Sequence, residues 1–204
     1  MIEARKAPAA VPEETRGRIL AATREVIARK GKRGATTREI SEVAGVNEAT
    51  VFRHFGSKSA LLIACAQRFC GDGELRDKTA QLHGKIEDDL LAIGQLMLER
   101  MISNKDMIRW SLVESDYEAD ILAETTWRPQ LAILEVMVEF LSARIASGEL
   151  VGDPKNLAMM FMGMIFMHVI AQDKYPASEL HHGDSGDALR FYIDVFLNGV
   201  RRKQ

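Results

Sequence analysis

Residues 36–62, Thr-Thr-Arg-Glu-Ile-Ser-Glu-Val-Ala-Gly-Val-Asn-Glu-Ala-Thr-Val-Phe-Arg-His-Phe-Gly-Ser-Lys-Ser-Ala-Leu-Leu, allow few folds. Ile40, Val43 and Ala44 fall at helical spacing, Val46 follows a break, and Val51, Phe52 and Phe55 repeat the pattern on the next segment. Gly45 stands where the first helix has to stop, because a residue without Cβ enters the left-handed region with little strain. Asn47 is placed to cap the second helix and Ser57 to cap a third directly behind it. Two short helices around a tight turn, sharing one small core, make a helix-turn-helix.

The capped second helix is expected to leave Glu48, Ala49, Thr50, Arg53 and His54 outside that core, a face that is small, polar or basic. A major groove accepts such a face: Arg donates two hydrogen bonds to a guanine edge, Thr bonds a base or presses its methyl on thymine, and Ala permits close approach. Thr37, Asn47, His54 and Lys58 suit phosphate contacts, which position a module without specifying sequence. Lys58 opens the third helix, where backbone N–H groups also favour an anion. An ordinary helical hairpin with a solvated face is the bland alternative, and the turn, the cap and the trailing helix together argue against it.

The stretch resembles the DNA-binding domain of the TetR/AcrR family of bacterial transcriptional regulators. The resemblance rests on Thr36-Thr37, Ile40, Ala44-Gly45-Val46, Thr50-Val51-Phe52-Arg53-His54-Phe55, Ser57-Lys58 and Leu61-Leu62, about the first third of the chain. It implies that Thr37, Asn47, Thr50, Phe52, His54 and Lys58 lie against the DNA backbone, with Arg38, Glu48, Ala49 and Arg53 nearest the bases. Two positions depart from the family pattern. Phe52 stands where Tyr is usual, removing a hydroxyl contact to phosphate, and Lys32 replaces a usual aromatic after Gly31, which would add a charge near DNA.

The chain has 204 residues, 47% of them hydrophobic, enough for a substantial core in one large or two small domains. Its formal net charge of -2 argues against nucleic acid only if charge is spread evenly. Through Lys58 there are 12 Lys+Arg against 7 Asp+Glu, and beyond it 15 against 22, so the basic end coincides with the helix-turn-helix. Met1–Pro12 has no apolar run of the kind a signal peptide needs and reads as a loose arm, in which Arg5 and Lys6 could touch DNA. Cys65 and Cys70 form neither a disulfide framework nor a zinc pattern; a packed core thiol is preferred over a redox sensor at Cys65, and the cytoplasm is the natural compartment.

Helical periodicity recurs to the end of the chain with almost no strand signal, so the expected fold is all-α. The organisation expected is an arm at 1–12, a three-helix head at 13–58 whose first helix runs from about Pro12 to Lys30, and a helical ligand-binding and dimerisation bundle at 59–204. Further helices are expected near 86–103, 105–115, 118–127 and 129–147, with another opening at Asp153-Pro154. Gly71-Asp72-Gly73 weakens the connector that starts at Ser57.

Leu157–Ala171 is the most apolar run, holding Met159, Met160, Met162, Met164 and Met167 around Gly163, and is shorter than the about 20 residues of a transmembrane helix. A helix apolar all round has to be covered on every side. A second copy does this most simply, with the last helix, about Ser185–Arg202, as partner face. Met160, Gly163, Met164, Met167, Phe191, Val195 and Phe196 are therefore the expected dimer interface, and the resemblance also implies such a four-helix contact.

A small-molecule effector is expected between the connector and the larger bundle. Met97, Met101, Trp110, Glu114, Tyr117, Trp127, Phe161 and His168 are candidates, although core packing is the preferred reading for each apolar member, a satisfied interior histidine for His168 and a solvated ion for Glu114. No phosphate loop, His-Glu-x-x-His or nucleophile elbow is present, so neither an enzyme nor a cofactor is expected. His181-His182 with Asp184 reads as a polar loop in preference to a metal site. The function expected is a homodimeric, effector-responsive regulator, a repressor on the family pattern, bound to a palindromic double-stranded operator and to no membrane. A helical module that binds a protein partner through its pocket or dimer face is the alternative.

Overall fold

The computed structural model describes residues 13–113, 119–174 and 185–200. Helices in chain order are α1 (Glu13–Gly34), α2 (Thr37–Ala44), α3 (Glu48–Phe55), α4 (Lys58–Cys70), α5 (Gly73–Thr79), α6 (Ile86–Ser103), α7 (Lys105–Val113), α8 (Ala119–Leu122) with a π-helical turn at Ala123–Trp127, α9 (Arg128–Ala146), α10 (Pro154–Lys174) and α11 (Ser185–Val200). The all-α expectation holds, with an N-terminal helix-turn-helix head and a helical body.

Two apolar cores organise these helices. In the head, Ile19, Leu20, Val26 and Ile27 of α1 pack with Ile40, Val51, Leu61, Leu62 and Cys65. Met107 of α7 and Ile121 of α8 belong to the same cluster, so the body completes the head's core. In the body, Leu90, Ile93 and Met97 of α6 meet Met137 and Leu141 of α9, Phe161 and Ile165 of α10, and Ile193 and Phe196 of α11. Gly94 allows α6 and α11 to come close: a Cβ there would sit 2.8 Å from Leu189 Cδ1. At the far end Arg144 pairs with the buried Asp89 and also donates to Gly84 O at 3.0 Å, tying α9 to the start of α6.

Several expectations are corrected. The first helix breaks at its expected end, since Gly31, directly after Lys30, takes a non-helical conformation (φ 73°, ψ 173°) that only a residue without Cβ adopts cheaply, but a further helical turn to Gly34 follows behind the break. A short helix, α5, follows the weak Gly71-Asp72-Gly73 point, and the segment expected as one helix near 118–127 is split between α8 and the π-helical turn. Val43, expected in the head core, is 39% exposed. Helix α10 is also longer than the apolar run suggested: Pro154–Gln172 is long and apolar enough to cross a membrane by composition. Length therefore does not set it apart; its packing does, since Leu157, Ala158, Phe161, Ile165 and Val169 are buried against the body.

Truncating Leu61, which is fully buried where α4 meets the head core, is expected to cost about 2–5 kcal/mol. Because α7 and α8 share that core, urea unfolding of Leu61→Ala followed by far-UV circular dichroism should show one earlier transition. A separate early loss of the head alone would be the contrary result.

Candidate nucleic-acid interface

The turn between α2 and α3 is built from local chemistry. Thr36 caps α2, its hydroxyl accepting from Glu39 N at 3.2 Å. Gly45 ends it in the left-handed region (φ 64°, ψ 39°), with Gly45 N donating to Glu42 O and Val46 N to Ser41 O. Asn47 Oδ1 then accepts from Thr50 N at 2.8 Å, satisfying a donor that the first turn of α3 would otherwise leave open. Thr37 Oγ1 donates to Glu48 Oε1 at 2.5 Å, fastening the start of α2 to the start of α3. Val51, 1% exposed, anchors α3 to the head core.

With α3 so anchored, Ala49, Phe52 and Arg53 are exposed, Phe52 to 45%, and Asn47 and Arg38 are exposed beside them. Glu48, His54, Thr37 and Lys58 are half-buried around this face. Lys58 Nζ reaches Arg33 O at 3.4 Å, and Arg38 forms an exposed pair with Glu42 at 3.2 Å, of the kind that contributes little to stability and yields readily to a competing anion. Thr50 differs from expectation. It is 8% exposed, and its hydroxyl donates to Asn47 Oδ1 at 2.8 Å while Arg53 Nη2 donates to it at 3.3 Å. Its side chain shapes the cap and steadies Arg53 rather than standing outside the core.

His54 Nε2 is covered and lacks a hydrogen-bond partner. Partial burial first, then the positive charges of Arg53 and Arg16, hold its imidazole below the ordinary value, against a smaller opposing effect of Glu13. Arg16 also lies over the Phe55 ring at 5.2 Å, closing the underside of α3.

Lys32, expected to bring a charge near DNA, does not. It is 4% exposed, and its ammonium donates to Thr125 Oγ1 at 3.1 Å, while Thr125 donates to Ile121 O at 2.7 Å. The glycine break just before it turns this side chain toward the body. Nothing in the local sequence signals that contact, because the partner is 93 residues away and sits in a π-helical turn.

The described members of the expected effector set lie in different surroundings. Met97 and Phe161 are buried in the body core, and Phe161 meets Phe196 edge-on at 5.5 Å. His168 is buried with Nδ1 3.2 Å from Tyr192 Oη and Nε2 3.3 Å from Ser185 Oγ, while Gln172 Nε2 lies 3.0 Å from the same ring nitrogen. Met101 is half-buried and Trp127 is 61% exposed. Glu114, Tyr117 and the side chain of Trp110 lie outside the described residues, as do Arg5, Lys6, His181, His182 and Asp184. Of the expected dimer residues, Met160, Gly163, Met167, Phe191 and Val195 are exposed and Met164 is half-buried. Phe196 is corrected: at 2% exposure it packs within its own subunit. Cys65 is fully buried and its thiol is pushed up to about 12, chiefly by burial, which makes it a core group and a poor nucleophile.

An eight-residue helix held by its cap and one buried valine, with a basic and polar outer face, defines a helix-turn-helix DNA-binding regulator. Comparison with known proteins agrees. Residues 19–65 match the model of the family described as bacterial regulatory proteins, tetR family. The chain is 34% identical over 172 residues, 83% of its length and 85% of the relative's, to the HTH-type transcriptional regulator YvkB of Bacillus subtilis. It is 23% identical over 197 residues, 94% of this chain and 95% of the relative, to the HTH-type transcriptional repressor AcnR of Corynebacterium efficiens. Among solved structures, GusR of Salmonella enterica superposes with a TM-score of 0.72 at 20% identity over 94% of this chain and all of that one. The fatty acid degradation regulator FadR of Bacillus halodurans does so at 0.70 and 19% identity, over 91% and all of the respective chains. The chain belongs to the TetR family of transcriptional regulators, whose members bind DNA and are not enzymes.

Because the folded chain resists protonating His54, the unfolded chain binds that proton first as pH falls through about 6.5, and stability is lost in that direction. Imidazole titration by NMR should place His54 below 6.5, and His54→Gln should flatten the loss of stability on acidification. An ordinary or raised value in the free protein would be the contrary finding.

Proposed function

We propose that this chain is a homodimeric repressor that binds a palindromic operator in the cytoplasm through α3, and that an effector releases it. The observation that carries the proposal is the outer face of α3: Ala49 and Arg53 exposed at its centre, with Thr37, Asn47, Phe52, His54 and Lys58 around them for the phosphates and Arg38 and Glu48 toward the bases. Thr50 would act through the Asn47 cap. Phe52 would offer a ring edge to the backbone in place of a hydroxyl. The name of AcnR supports a repressor in preference to an activator.

The dimer is supported by an apolar surface on α10 and α11. Met159, Met160 and Met167 are 56%, 45% and 63% exposed, Phe191 and Val195 are 64% and 52% exposed, and Gly163 between them faces open space on its Cβ side. A monomer rarely leaves such a cluster to water. Two copies joined there would present two α3 helices to half-sites about one helical turn, 34–36 Å, apart. The working division is an arm at 1–12, a head at 13–58 and a body at 59–204, with α4 joining the last two. A small, largely apolar effector entering the body near Met101 and Trp127 would act by favouring a spacing unsuited to DNA. A difference of about 1–3 kcal/mol between the two states suffices for useful control.

Selection from random duplexes with the purified protein should yield a palindrome whose binding weakens steeply with salt. Arg53→Ala should cost about 1–3 kcal/mol and relax the choice at one position of each half-site, whereas Lys58→Ala should weaken all sequences alike. Affinity no greater for any selected duplex than for random DNA would contradict the proposal.

A further inference from the structure

A cleft of about 460 Å3 lies between the head and the body, walled by α1, the end of α2 and the α6–α7 junction. Such a volume lies within the range of sites that hold small metabolites. Its walls are unlike those of the body core. Ala22, Val43 and Met107 supply apolar surface, and Arg18, Arg24, Glu25, Asp106 and Asn104 supply polar groups.

Two arginines and two acids line the cleft, and they differ in how they are paired. Glu25 is engaged by Arg29 at 3.7 Å and Asp106 by Arg109 at 3.1 Å, so both acids already have cationic partners. Arg18 and Arg24 have no ion-pair partner among the described residues; Arg24 rests over the Phe69 ring at 4.5 Å, which leaves its N–H edge unused by any carboxylate. The cleft therefore offers an anion two guanidinium groups that no carboxylate contacts directly, the group best matched to a planar carboxylate.

Asn104 adds a second requirement. It is 8% exposed, and its Nδ2 donates to Arg100 O at 2.8 Å and Phe69 O at 3.3 Å. Two carbonyl acceptors orient the carboxamide, because a flipped group would set oxygen against oxygen. Oδ1 is then left buried with no hydrogen-bond partner, a costly condition for an acceptor. A donor brought into the cleft by a ligand would relieve it after a small movement of the side chains that line the wall.

We propose that this cleft binds a small amphipathic carboxylate that also carries a hydroxyl or amino donor. The carboxylate faces Arg18 and Arg24, the donor faces Asn104, and the apolar body lies along Ala22, Val43 and Met107. The site differs in place and chemistry from the apolar effector site proposed in the body. Its existence is independent of the DNA-binding reading, while any effect on the operator rests on that reading, because Val43 and Ala44 belong to α2 and Asn104 and Met107 to the body.

The test uses the full-length dimer or monomer as purified, labelled with 13C at the methionine methyls, with 3-phenyllactate as probe. Methyl 3-phenyllactate lacks the charge and 3-phenylpropionate lacks the hydroxyl. Phenyllactate should shift the Met107 resonance saturably and leave Met159 and Met167 in place, and each analogue should bind about tenfold or more weakly. Arg18→Gln, on the surface of α1, should weaken phenyllactate by a similar factor without affecting the fold, and Asn104→Ala should erase the preference for the hydroxyl. No saturable shift at Met107, an equal response to all three compounds, or shifts confined to Met97 and Met101 in the body would overturn the assignment. A chain that takes phenyllactate at Met107 but selects no duplex would sink the regulatory reading and leave the cleft assignment standing.

Discussion

An isolated helix of eight residues does not persist in water, because the cost of nucleating it outweighs the few hydrogen bonds it makes. Helix α3 exists because Asn47 satisfies its first turn, Gly45 lets the chain reverse ahead of it, and Val51 buries one side against α1 and α4. That anchoring decides which residues are left over. The exposed face follows from Val51 pointing inward, so a change that rotates α3 would misplace Arg53 and Ala49 together.

The head is fastened to the body more closely than a hinged domain would be. Met107 and Ile121 complete its core, and Lys32 bonds to Thr125 inside the junction. A buried ammonium is expensive to strand, so the head cannot swing away from the π-helical turn without replacing that bond. In the proposed mechanism, a rearrangement of α6 to α8 would reach α1, and α3 beyond it, through these contacts. For the proposed pair of reading helices, which would have to match the pitch of a duplex, a shift of this kind would be enough to change affinity without altering any residue at the DNA surface.

Much of the head was legible in sequence because its determinants are local. The caps at Asn47 and Ser57, the left-handed glycine and the inward positions Ile19, Leu20, Val26 and Ile27 all appear where periodicity and cap chemistry place them. The misreadings have nonlocal causes. Lys32 looked like surface charge because the break at Gly31 changes the face it belongs to, and its acceptor lies on a distant turn. Val43 fits the helical period yet borders a cleft, since α7 does not cover all of α2. Thr50 looked free, but a short polar side chain next to a cap is drawn into it. In the body, composition could not separate Phe196, which fills its own subunit, from Phe191 five residues earlier, which is left outside. Both are aromatic and on one helix, but five residues is about 140° of turn, so they lie on different faces, and only the tertiary packing on α6 and α10 decides which face is inward.

The central claim is that the outer face of α3 enters the major groove, twice per operator. Dimethyl sulfate interference on a selected duplex tests it directly, since methylation at guanine N7 marks the major groove and at adenine N3 the minor groove. The account predicts interference at guanine N7 in two clusters about 10 base pairs apart, with one guanine in each losing its effect in Arg53→Ala. Interference confined to adenine N3, or a single cluster unchanged by Arg53→Ala, would contradict it.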